Sequence, residues 1–248
     1  MGEFVGRVIG LALAPIVFLV ALVRGARAFH PDGAVWRADV VATFRGDGSL
    51  ARVAKRLAGP ALARLSPAMH RAGSDERDVL GLGVRFGAAG EQDLLLATFD
   101  GFAPAQLRRA LKETDPRDYL HNDYRAVSPY RVDGTGDLVL LRARGEGDPS
   151  RSDGPSQTGG PSRDERLARA VADGHALLHV EARAADDEHA PWLPLVDVTL
   201  VGRSSVTQAA LRLSPQRDGF GLRGAGTYAG IRWAVYPVSQ LARRLRGG

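Results

Sequence analysis

The chain contains no cysteine among its 248 residues. It can therefore form no disulfide, use no thiolate nucleophile and offer no cysteine ligand to a metal or a haem. A chain without thiols also fits a reducing compartment. The sequence contains neither a Gly-x-Ser-x-Gly motif nor a P-loop, so nothing in it supports a serine hydrolase or a nucleoside triphosphatase.

Lysine is almost absent, since Lys55 and Lys112 are the only two among 33 basic residues. The net charge is +5, and arginine is spread along the whole sequence instead of forming a basic stripe. This distribution argues against a nucleic-acid partner. One dense cluster, formed by Arg243, Arg244 and Arg246, is suited to contact with an anionic surface.

The sequence also lacks a hydrophobic run of the length that usually spans a membrane, which is about 18–20 residues. Residues 8–23 form an unbroken apolar run of 16 residues. Its length suits a signal-peptide core, a short or interfacial membrane anchor, or a helix docked in an apolar groove of a partner. More arginines follow the run than precede it, which predicts a cytoplasmic domain; they are Arg24, Arg27 and Arg37, against Arg7 alone.

Apolar and alternating segments bounded by Gly, Pro and Asp predict about eight strands and five helices. The strands fall near 34–44, 61–65, 79–86, 92–98, 137–143, 176–184, 194–203 and 208–213, and the helices near 8–28, 49–57, 103–112, 163–172 and 228–246. A segment rich in Gly, Pro, Ser and Asp, 145–162, interrupts this pattern, and we interpret it as a flexible loop inserted in one domain. We predict an N-terminal hydrophobic helix at 1–28, as a candidate membrane anchor, and one α+β domain at 29–248.

The last predicted helix carries the most specific pattern, Arg-x-x-x-Tyr-Pro-x-Ser followed by an arginine. At 3.6 residues per turn, Tyr236 lies about 40° around the helix from Arg232, and Arg243 lies about 20° from it. One face therefore carries a phenol and two guanidinium groups. A neighbouring cation favours the ionised form of a phenol, and a phenolate is the anionic ligand that holds haem iron in catalases.

Five segments in the correct order resemble motifs of the haem catalase superfamily, and one of them resembles its small catalase-related (catalase-like haem peroxidase) branch in particular. They are 27–33 (Arg-x-x-His-x-x-Gly before a strand), 64–66, 78–96, 124–131 (ending in Ser-Pro-Tyr-Arg, similar to the Ser-x-x-Pro-Tyr-Arg segment of the small catalase-related proteins) and 232–243. The resemblance spans roughly residues 24 to 246, and motif matches of this kind are hypotheses about context. It implies an eight-stranded antiparallel catalase-type β-barrel with flanking helices and a C-terminal helix that carries the haem ligand.

The resemblance also implies roles for single residues around a haem b. Tyr236 would be the axial iron ligand, kept anionic by Arg232. His30 would move the peroxide proton as general base and then acid, with Ser66 bonded to its imidazole. The remaining three arginines would pair with the haem propionates, for which guanidinium geometry is suited; they are Arg27, Arg64 and Arg243. Signal-peptide cleavage after residue 28 would remove Arg27, which argues against secretion.

The sequence departs from catalases at the distal asparagine, which corresponds here to Ala97 or Thr98, and at the residue after Tyr-Pro, which is Val238. We therefore expect a peroxidase acting on peroxide or on organic or lipid hydroperoxides instead of a fast catalase. The alternative is a catalase-fold protein without haem that serves as a membrane-attached binding or scaffold module. Neither reading predicts the oligomeric state.

Two further patterns carry little weight. Residues 219–224 match Gly-x-Gly-x-x-Gly, but no acidic residue follows them to bind a ribose, and no strand–helix–strand unit surrounds them. His175 and His179 have the spacing of a zinc-binding helix without its glutamate, and we interpret both as structural.

Overall fold

The computed structural model describes residues 2–24, 33–70, 76–101, 103–146, 161–208 and 210–245. Within the first and last helices, side chains are described for residues 2–15, 226–238 and 241. The described residues form five helices: α1 (Gly2–Arg24), α2 (Gly48–Leu57), α3 (Pro104–Glu113), α4 (Arg163–Ala172) and α5 (Gly226–Leu245). They also form ten strands: β1 (Ala34–Ala42), β2 (Gly59–Pro67), β3 (Leu80–Phe86), β4 (Gln92–Ala97), β5 (Asp123–Arg125), β6 (Tyr130–Val132), β7 (Leu138–Gly145), β8 (Leu177–Ala184), β9 (Leu193–Arg203) and β10 (Leu222–Gly224).

Eight of these strands close into an antiparallel barrel, in the order β1-β2-β3-β4-β5-β7-β8-β9 and back to β1. Pairing of β7 with β8, for example Leu141 with Ala182, closes the ring. Strands β6 and β10 extend from the edge of β7 as a two-stranded flap. The predicted eight-stranded α+β barrel is thus confirmed.

The barrel differs from the prediction in its eighth strand. Residues 210–213 form no strand, and Leu211 and Leu213 instead pack beside Val35 on the outside of the barrel. This segment is held by Asp93, whose Oδ2 accepts a hydrogen bond of 2.7 Å from the backbone N–H of Ser214. The barrel strand that the prediction missed is the three-residue β5, which is too short to show a period of two.

The barrel interior is a continuous hydrophobic cluster to which every barrel strand contributes. Because side chains alternate across a strand, β8 buries every second residue towards this interior. Large members of the cluster with almost no exposure are Trp36, Phe86, Leu65, Leu82, Leu94, Tyr124 and Leu141. The barrel is therefore a filled scaffold, and any larger ligand must lie on its outside or at an end.

Helices α1 and α5 pack side by side and in parallel, away from the barrel interior. A Cβ atom at Gly6 would overlap the carbonyl oxygen of Thr227. At Gly10 it would lie 2.8 Å from the carbonyl oxygen of Ile231 and 2.9 Å from the Cβ of Ala234. The two backbones approach this closely because glycines spaced four apart line one face of α1, and Gly230 faces them from α5.

Within the described parts of the chain, no helix combines the length and the apolar character that a membrane crossing requires. The predicted loop at 145–162 lies mostly outside the described residues. The predicted division at residue 28 also lies outside them and stays a prediction.

Candidate functional site

The candidate iron ligand Tyr236 lies half-buried on α5, as does Arg232. Both are within electrostatic reach of the buried phenol of Tyr130 on β6. Burial raises the pKa of Tyr130; the Arg232 cation opposes that rise, and Tyr236 adds to it. Tyr130 and Arg232 also line the same cavity, between β6 and α5.

Pro237 shapes α5 directly after the candidate ligand. Proline has no N–H, so the carbonyl oxygen of Trp233, four residues earlier, loses its helical partner. That oxygen accepts a hydrogen bond of 3.1 Å from the Nε2 of Gln216, which precedes β10. The Tyr-Pro pair thus ties α5 to the barrel side at the turn that carries Tyr236.

A cavity of about 280 Å³ opens between the helix pair and the flap. Its wall includes Arg7 from α1, Tyr130 from β6, and Arg232 and Trp233 from α5. Arg7 stacks over the Trp233 ring at 4.7 Å from its centroid. Helix α1 is therefore part of the surroundings of the candidate ligand helix.

A second group of site residues lies on β2. Leu65 points into the interior cluster, so the period of two puts Arg64 and Ser66 on the outer face of the strand. They are nevertheless buried, at 3% and 1% exposure. The Nη1 of Arg64 donates to the Oγ of Ser66 over 3.0 Å, and its Nη2 donates to the Oε1 of Gln208 over 3.2 Å.

Gly33 brings the start of β1 against this pair. A Cβ atom there would lie 2.8 Å from the Cβ of Ser66 and 3.0 Å from the Cζ of Arg64. His30 stands three positions before Gly33 in the sequence and lies outside the described residues.

The position of the missing distal asparagine is at the end of β4. Ala97 is buried and pairs with Gly81 and Arg125. The hydroxyl oxygen of Thr98 accepts from the backbone N–H of Leu80 at 3.0 Å and from the hydroxyl of Thr114 at 2.8 Å. Thr98 therefore serves the local chain, and no carboxamide is present at either position.

Two predicted site residues, Arg27 and His30, lie outside the described residues. The backbone of Arg243 is in α5, but its side chain is also outside the described part. The structure thus brings Arg232 together with Tyr236 and, separately, Arg64 with Ser66.

Sequence reasoning assigned no role to Tyr130 or to the glycines of α1. The signal for Tyr130 was available, because it lies within the segment 124–131 that resembles the small catalase-related proteins. The signal for the helix pair was the spacing of Gly2, Gly6 and Gly10, which the length of the apolar run obscured.

His179 belongs to a separate cluster on the barrel wall, as its interpretation as a structural residue predicted. Its Nδ1 lies 2.7 Å from the Oδ1 of Asp197 and its Nε2 lies 3.2 Å from the Oε1 of Glu146. His175 is not part of this cluster. Among the described residues, no group of three or more His, Asp or Glu side chains is arranged to hold a metal ion.

By donor type, the described residues include groups that are suited to hold a haem, on two separate parts of the fold. Tyr236 supplies an oxygen donor, Arg232 supplies a nearby cation, and buried Arg64 supplies a guanidinium for a carboxylate on the outer face of the barrel. This donor set matches a ferric haem held by a phenolate.

The fold is that of catalases. A bacterial catalase structure matches with a TM-score of 0.60 and 14% identity, covering 88% of this chain and 57% of that chain. Catalase A from Saccharomyces cerevisiae and a fungal catalase also match at TM-scores of 0.60 and 12% identity, covering 88% of this chain and 61% and 59% of theirs. No family model and no curated protein sequence matches the chain. The chain thus spans less than two thirds of the catalases that it resembles, and it has a catalase-type β-barrel.

Proposed function

We propose that this protein is a catalase-like haem peroxidase of the small catalase-related kind, with Tyr236 as the proximal ligand and His30 as the distal acid–base group. The observation that carries the proposal is the placement of Tyr236 and Arg232 on one helix of a chain with a catalase-type barrel, with Arg232 lining the same cavity as the buried Tyr130.

Each of the chain's own residues has a definite task in this proposal. Haem, when bound, supplies the iron centre at which the O–O bond of a peroxide is cleaved. Arg232 stabilises the phenolate of Tyr236 by its charge. Ser66 sets the tautomer of His30, and His30 moves a proton from one peroxide oxygen to the other. Arg27, Arg64 and Arg243 hold the propionates by bidentate pairing.

The test is an absorption spectrum of the purified protein after haem titration, compared with that of Tyr236→Phe. We expect a Soret band in the wild type that is lost or strongly altered in the variant, because phenylalanine keeps the ring and removes the ligand oxygen. Tyr228→Phe is the matched control on the same helix, and it should retain the wild-type band. A wild-type protein that stays colourless with excess haem contradicts the proposal.

A wild-type protein that stays colourless with excess haem would favour the second candidate function, a catalase-fold binding or scaffold module without haem. The observation in its favour is the replacement of the distal asparagine by Ala97 and Thr98, the latter bonded to Leu80 and Thr114.

The substrate class follows from the same replacement. Dismutation requires a second peroxide to be oriented, and losing one positioned polar group typically costs about 10²–10³-fold. We expect weak oxygen evolution from hydrogen peroxide and faster turnover of cumene or fatty-acid hydroperoxide by the same preparation. Rapid oxygen release would show that Ala97 and Thr98 do not limit dismutation.

A further inference from the structure

The side of α1 that faces away from α5 is apolar and exposed. Phe4 is 72% exposed, Leu11 is 61% exposed and Val8 is 54% exposed. The buried side of the same helix is made of Gly6, Gly10 and Ala14. Helix α1 thus has the reverse of the usual arrangement in a globular protein, where large apolar side chains face inwards.

This arrangement matches helix pairing in lipid. Lipid tails are as apolar as a leucine side chain, so burying large apolar side chains between helices gives no hydrophobic gain. Helices in lipid instead associate through small residues that let their backbones approach. Gly10 against Ile231 and Gly230 against Arg7 provide such an approach between α1 and α5. The pairing fixes which side of α1 points outwards, and that side carries the large apolar residues.

Charges lie at both ends of the apolar surface. Within residues 2–15 of α1, the charged side chains are Glu3 and Arg7 alone, and Arg7 stacks on the half-exposed Trp233. At the other end α1 finishes at Arg24, and the parallel α5 carries Arg243 and Arg244 in its last turn. Tryptophan and arginine are favoured at the boundary between lipid and water.

We propose that the α1–α5 pair docks on an anionic phospholipid bilayer, with the outer face of α1 in the acyl boundary. The negative charge of the lipid complements the arginines that the two helices carry in their sequence. The pair then lies in the interface plane, as amphipathic helices do. The proposal needs no haem and therefore stands apart from the proposed peroxidase function.

The test is flotation of the full chain with phosphatidylcholine vesicles, with and without phosphatidylglycerol. We expect the wild type to float with the anionic vesicles and to be released by salt, because the arginine contribution is screened. Leu11→Glu should reduce flotation about tenfold or more, since it removes a large apolar side chain from the lipid and adds an anion. Val41→Glu on β1 is the matched control, because Val41 is also 61% exposed, and it should float like the wild type.

The Soret band, or the thermal transition if no haem binds, shows that each variant is folded. A folded wild type that floats with neither vesicle overturns the proposal. So does equal loss of flotation in both variants. A wild-type dimer in light scattering that Leu11→Glu converts to monomer, without flotation, would assign the α1 face to a second copy of this chain.

Discussion

Different interactions stabilise the barrel and the α1–α5 pair. The barrel is a closed hydrogen-bonded ring around large buried side chains such as Trp36 and Phe86. The helix pair is held by close backbone contact at Gly6 and Gly10, while its large apolar side chains face outwards. Since burial of apolar area is the main source of stability, the barrel is the rigid region. The candidate ligand Tyr236 therefore lies on the region that opens more easily.

The largest effect should come from the barrel. Leu82→Ala on β3 removes a side chain that is 1% exposed in the interior cluster. We expect the free energy of unfolding to fall by about 2–5 kcal/mol, as for other leucine truncations in a packed core. Urea denaturation followed by circular dichroism measures this loss. Val41→Ala is the exposed control, and its change should stay within about 0.5 kcal/mol.

An intermediate and local effect should come from Gly10→Leu. The added side chain must push α1 away from Ile231 and Ala234, and overpacking of this kind costs about 1–3 kcal/mol. Hydrogen exchange should accelerate in α1 and α5 while the barrel strands keep their protection. Ala12→Leu adds the same side chain at an exposed position of α1 and should change neither region. Loss of protection throughout the barrel would show that the two regions unfold together.

The smallest effect concerns pH and the barrel wall. Burial alone would lower the pKa of His179, but the hydrogen bonds that its ring donates to Asp197 and Glu146, together with their charges, raise it above the ordinary 6.5. A histidine with a raised pKa stabilises the fold fully below pH 6.5, and this stabilisation is lost as the pH rises through the folded pKa. The urea concentration at the midpoint of unfolding should therefore decrease slightly as the pH rises through the folded pKa of His179.

The matching variants are His179→Gln, which should lose this small pH dependence, and His189→Gln, which should retain it. His189 is a suitable control because its side chain is 89% exposed. An unchanged pH profile in His179→Gln would show that the cluster contributes nothing to stability.

The sequence predicted the barrel well because its strands show their burial pattern locally. Strands β7, β8 and β9 alternate in burial along much of their length. The alternation of Leu211 and Leu213 also suggested a strand, but residues 210–213 pair with none of the described strands. Those leucines instead pack on the outside next to Val35.

The candidate site was only partly predictable, because its parts meet through tertiary contacts. The spacing of Arg232 and Tyr236 follows from helix geometry alone. The approach of Tyr130 depends on the β6–β10 flap, and the bond from Gln216 to Trp233 depends on a loop without periodicity. Neither contact leaves a pattern in the segment that makes it.

The pairing of α1 with α5 has a consequence for biosynthesis. Helix α1 is translated before every strand, and its partner helix is translated after them all. At roughly 5–20 residues per second, α1 waits on the order of 10 to 50 seconds for α5. Throughout that interval its glycine face has no partner and its leucines are open to chaperones or to lipid. All barrel strands can be paired before Tyr236 leaves the ribosome, so Tyr236 reaches a barrel that has already folded.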